Sequence, residues 1–73
     1  MNADRPESAQ SHTVYEGFSE RRMEAGEEKE PSLEEALRDL WDRSGPGEKR
    51  LRVIEIEVYG SNPIDMFRVA ATD

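Results

Sequence analysis

The sequence predicts a small α+β domain: a three-stranded, mostly antiparallel sheet with element order β-α-β-β and one helix packed on one face. Three observations predict it. One segment carries apolar residues at helical spacing behind a capping signal. Two later segments alternate apolar and polar residues across a short turn. With 73 residues there is room for one domain only.

Residues 1–11, MNADRPESAQS, are polar, contain Pro6 and lack apolar periodicity, which predicts a disordered N-terminal tail and a domain spanning 12–73. Residues 12–22, HTVYEGFSERR, read as a strand rich in Val, Tyr, Thr and Phe. Val14, Glu16, Phe18 and Glu20 share one of its faces, and Thr13, Tyr15, Gly17, Ser19 and Arg21 the other. Gly17 inside a strand marks a bulge or a close backbone approach. Residues 23–31, MEAGEEKEP, hold four glutamates around Gly26 and predict a solvated acidic loop.

The spacing then predicts a helix over 33–43. Ser32 and Glu35 fit a capping box, in which the Ser32 hydroxyl accepts from the Glu35 amide and the Glu35 carboxylate reaches back to the Ser32 amide. Leu33, Ala36, Leu37, Leu40 and Trp41 form one apolar stripe. Glu34–Arg38 and Asp39–Arg43 are acid-first i,i+4 pairs, each worth roughly 0.2–0.5 kcal/mol. Gly45 and Pro46 stop the helix.

Residues 50–59, RLRVIEIEVY, alternate as a half-buried strand. On strict alternation Arg52, Ile54, Ile56 and Val58 face one way and Leu51, Val53, Glu55, Glu57 and Tyr59 the other. Gly60-Ser61-Asn62-Pro63 is a turn, and residues 64–72, IDMFRVAAT, form a last strand paired antiparallel with its predecessor. That strand is apolar on both faces, which places it in the centre of the sheet. The helix stripe is expected to pack on Ile54, Ile56 and Val58, with Val14 and Phe18 completing the layer. The second sheet face then presents Tyr15, Leu51, Val53, Tyr59 and Met66 beside Glu55 and Glu57. Half apolar and half charged, this face is the expected oligomer interface.

Self-association is also what size demands, because short chains bury a small share of their surface. Without cysteine there is neither a disulfide nor a thiolate zinc site. A net charge of −7, from 17 acidic and 10 basic side chains, argues against nucleic acid and anionic membrane as partners. No apolar run is long enough for a membrane span or the core of a secretion signal, and a cytoplasmic protein is expected by elimination.

No catalytic motif accompanies these elements, so the sequence predicts a protein that is not an enzyme. His12, the single histidine, lacks a nucleophile pattern. Glu55 and Glu57 lie two apart on one face, where the candidate chemistry is a Ca²⁺ or Mg²⁺ cluster across a symmetry axis and the ordinary use is pairing with arginine. No metal site is predicted. Arg50, Arg52 and Arg68 converge near the hairpin as a candidate anion site, again with glutamate pairing as the ordinary use. Trp41 at helical spacing is a core position first and a stacking platform second.

Arg52-Val53-Ile54-Glu55 and Asp65-Met66-Phe67-Arg68-Val69 resemble the second and third strands of dodecins, small βαββ proteins that assemble into twelve-subunit shells and bind flavin. In that family a Trp before the second strand stacks on the flavin; here Trp41 lies within the helix stripe. The family's flavin-reading Gln aligns with Arg68. The resemblance implies an alternative function, a carrier or storage protein holding flavin or a similar flat cofactor at subunit interfaces, with Trp41, Tyr59 and Arg68 as cofactor-binding candidates. The residues themselves favour a non-enzymatic, self-associating structural or interaction module with no cofactor.

Overall fold

The computed structural model describes residues 13–73. The chain runs β1 (Val14–Glu20), β2 (Arg22–Glu24), β3 (Glu27–Lys29), α1 (Leu33–Arg43), β4 (Arg52–Gly60) and β5 (Ile64–Thr72). Residues 1–11 of the predicted tail, and His12, lie outside the described residues. The α+β class holds. β1, β5 and β4 form one antiparallel sheet in that order, with β5 in the centre as its two-sided apolar pattern predicts.

Two strands were not foreseen. The acidic stretch expected to be a solvated loop is the β2–β3 hairpin, so three strands precede the helix rather than one. No apolar alternation announces it. Its turn holds Ala25 and Gly26 at φ 52° and 80°, the doubly left-handed backbone of tight hairpin turns. Its ion pairs run along each strand, Lys29 with Glu27 and Arg22 with Glu24, rather than between the strands. Arg21, between β1 and β2, binds Glu28 at 2.9 Å and Asp65 at 3.3 Å, anchoring the hairpin to the start of β5.

Helix α1 begins and ends where the capping and stop signals place it. Ser32 Oγ accepts from the Glu35 amide at 3.1 Å. The other half of the predicted capping box is replaced, because the Ser32 amide donates to Ser19 Oγ at 3.0 Å and that hydroxyl donates to Glu35 Oε1 at 2.7 Å. A residue of β1 is thereby inserted into the cap. Both predicted i,i+4 pairs form, Arg38 with Glu34 and Arg43 with Asp39.

The helix packs on β1 and β5 and makes no contact with β4, which corrects the expected seating on Ile54, Ile56 and Val58. Gly17 is the reason. A Cβ there would stand 2.2 Å from the Ala36 carbonyl and 2.4 Å from the Leu40 amide, so α1 lies against bare backbone. The face of β1 toward the helix is therefore Tyr15, Gly17 and Ser19, not Val14 and Phe18. Apolarity favoured the wrong face; room for the helix backbone decided it. The core is small: Ala36, Leu40, Val69 and Ala71 are buried, with Tyr15, Leu51 and Phe67 partly buried around them.

Candidate functional site

Along the sheet, residues paired across strands share a face. Val53 pairs with Ala71, Ile56 with Val69 and Val58 with Phe67, so these three β4 side chains stand on the helix side. A β-bulge between Val53 and Glu55 breaks strict alternation and puts Val53 on the face of Ile56 rather than that of Glu57. Because α1 stops over β5, the row stays in solvent. Leu33, Leu37 and Trp41 repeat every four residues on the helix flank opposite Glu35 and Asp39, which follow the outer edge of β1. That flank therefore looks toward β4. The two rows make up an apolar ledge of six large side chains, each 36–54% exposed, on the side of the sheet where Phe67 is half-buried.

The opposite face is charged and internally paired. Arg68 on central β5 reaches Glu57 at 3.0 Å and Glu55 at 3.2 Å on one neighbour strand, and Glu16 on the other. Hydrogen bonding to Glu16, then to Glu55, raises the Arg68 pKa above its ordinary value. Ala70 sits buried on this side between Glu16 and Glu55. Glu55 and Glu57 thus serve the ordinary use expected of them. Among the described residues no group of His, Cys, Asp and Glu is arranged to hold a metal ion.

A third feature lies at the outer edge of β1. An open cleft of about 590 Å³ runs between this strand and the helix, lined by Phe18, Arg22, Glu35, Asp39 and Arg43 among others. Four of its charged side chains are paired with one another. Arg22 grips Glu35 with both terminal nitrogens at 3.1 and 3.2 Å, and with the Ser19 bond this holds the Glu35 carboxyl down at about 2. Asp39 accepts from the Phe18 amide at 2.9 Å and from Arg43 at 3.0 Å.

The five residues expected on one interface face are divided. Tyr15 and Leu51 pack against the core beneath the helix, and Val53 joins the ledge on the same side. Tyr59 and Met66 pair with each other on the charged side. The cofactor candidates are divided too: Tyr59 and Arg68 occupy the charged face, whereas Trp41 belongs to the ledge. Trp41 is 45% exposed, not a core residue, and Lys49 Nζ lies 4.2 Å from its ring centroid. Lys49 is held there by the Gly45 carbonyl at 2.6 Å. Arg50 and Arg52 take no part in the Arg68 cluster.

Sequence reasoning missed the ledge as a unit and Ser19 as the link between strand and cap. The apolar stripe of α1 spans five positions, wider than a helix seated on a glycine can bury, and that width was the available signal. Among the described residues no helix is long and apolar enough to cross a membrane. Comparison with family models, with curated proteins and with solved structures finds no match to this chain.

Proposed function

We propose that this chain is a non-enzymatic interaction module that works by associating with further copies of itself. The observation that carries this reading is the ledge of Leu33, Leu37, Trp41, Val53, Ile56 and Val58, left in solvent beside a very small core. Six large apolar side chains left 36–54% exposed on one side of the sheet exceed the single scattered apolar residues of an ordinary monomer surface. Covering them strengthens a domain that buries little on its own, at roughly 25 cal/mol per Å² before the costs of association.

A second copy is the occupant that fits. Residues 1–12 of the same chain offer one large apolar side chain, Met1, against six on the ledge. The net charge of −7 opposes association, but the Debye length of about 8 Å at physiological salt confines that repulsion to groups near the contact. The test is size-exclusion chromatography with light scattering, followed by native mass spectrometry, across the micromolar range. A multimer that dissociates on changing Leu37 and Trp41 to Ser supports the reading. A cooperatively folded, strictly monomeric wild type refutes it.

A further inference from the structure

The two edges of the main sheet differ, and the difference says how a second copy docks. On the second half of β1 two outward-facing groups are occupied: the Phe18 amide donates to Asp39, and the Glu20 carbonyl accepts from Arg22 at 3.1 Å. Among the described residues no strand or helix stands alongside β4 on its outer edge. The Arg21 amide bonds the Asp65 carbonyl, which fixes the alternation along β5: residues 65, 67, 69 and 71 bond toward β1, and 66, 68 and 70 bond toward β4. Glu55, Glu57 and Tyr59 are the β4 partners of those three. The backbone N–H and C=O of Ile56 and Val58 therefore point away from the sheet, on the strand whose side chains form half of the ledge.

Resting on the self-association reading, we propose that β4 pairs antiparallel with β4 of a second copy about a two-fold axis at Glu57, joining two three-stranded sheets into one of six strands. Register shifts occur between Val53 and Glu55 and between Tyr59 and Gly60, leaving Glu55–Tyr59 as the regular run. Glu57 is its midpoint. A two-fold axis there sets Ile56 opposite Val58 of the second copy and Glu55 opposite Tyr59. The outward amides and carbonyls of Ile56 and Val58 then form two hydrogen-bonded pairs. The alternative axis at Ile56 faces Glu55 with Glu57 twice, whereas the axis at Glu57 leaves one facing pair of glutamates, each held by its own Arg68.

The geometry also resolves a shortfall of area. The ledge alone falls below the roughly 800 Å² per partner of a standard interface. Edge pairing adds the strand backbone, and it sets the two rows of Val53, Ile56 and Val58 side by side between two helix flanks.

Hydrogen exchange of the wild-type protein, read residue by residue from dilute to concentrated solution, tests the pairing directly. Exchange at the Ile56 and Val58 amides is expected to slow by at least about tenfold with concentration, while Glu57, already bonded inside the sheet, changes little. Val58→Pro removes an outward N–H that no neighbouring strand uses, a substitution an edge strand accommodates. It is expected to weaken association at least about tenfold while keeping the far-ultraviolet signature of the fold. Glu57→Gln, which removes the facing charges, is expected to tighten association several-fold. An associating wild type whose Ile56 and Val58 exchange ignores concentration, or a folded Val58→Pro that associates like wild type, overturns edge pairing and leaves self-association standing. A monomeric wild type overturns both. Should Val58→Pro fail to fold, the wild-type exchange data decide.

Discussion

Replacing Gly17 with Ala tests the packing argument most sharply. The added methyl would meet the Ala36 carbonyl at 2.2 Å, the Leu40 amide at 2.4 Å and Leu40 Cβ at 2.7 Å. Two of those atoms belong to helix backbone, so no rotamer change relieves the clash. Restoring ordinary contact at about 3.5 Å requires α1 to move outward by roughly 1 Å, which opens the layer between Leu40 and Val69. Overpacking of this kind costs about 1–3 kcal/mol, and a collision with backbone belongs at the upper end. A domain of about 60 ordered residues holds roughly 3–9 kcal/mol in total, so the variant should lose from about a third to all of its stability. The assay is urea unfolding followed by circular dichroism at neutral pH, at matched protein concentration. With a slope of about 1 kcal/mol per molar, the midpoint should fall by on the order of 2–3 M. If Gly17 merely tolerated its position, Ala would stabilise by about 0.4–1 kcal/mol through the unfolded chain. A midpoint equal to or above wild type therefore refutes the reasoning.

Three further outcomes follow from the same contacts. Ser32→Ala removes the acceptor of the Glu35 amide and should cost about 1 kcal/mol, measured as a lower urea midpoint with the sheet intact. The Glu35 pKa is depressed from 4.5 to about 2 by Arg22 and Ser19, so its contribution to stability is full above about pH 4.5 and is lost as pH falls toward 2. Glu35→Gln should flatten the stability profile across that window, and an unchanged profile would count against the Arg22–Glu35–Ser19 arrangement. Arg68→Gln leaves Glu16, Glu55 and Glu57 without their shared cation. The variant should be less stable than wild type by a margin that narrows as salt is added, read from melting curves at low and high ionic strength.

Much of the fold was legible because local chemistry specified it. The helix boundaries followed from Ser32, Glu35 and Gly45, and the central place of the last strand from apolar residues on both its faces. The failures share one cause: in each, a backbone event outweighed side-chain pattern. Gly17 offered no apolar mass, so alternation assigned the inner face of β1 to Val14 and Phe18, whereas helix clearance assigned it to Tyr15, Gly17 and Ser19. The bulge at Ile54 carries no residue signature, so Val53 was placed on the wrong side of β4. The β2–β3 hairpin rests on a two-residue turn and on the anchoring ion pairs of Arg21, among residues whose composition suits a loop equally well. Of the candidate site, the pairing of Glu55 and Glu57 with Arg68 was legible. The ledge was not, since it depends on where the helix stops short.

The asymmetry of the two strand edges bears on how far a sheet of this kind can grow. Open-ended fibres need two compatible rims on every subunit, one to receive and one to offer. Here Asp39 and Arg22 occupy one rim with carboxylate and guanidinium groups. A subunit joined through its β4 rim would meet, on the far side, a strand whose second half is taken up by its own side chains, which hinders lateral growth of a pair into a ribbon.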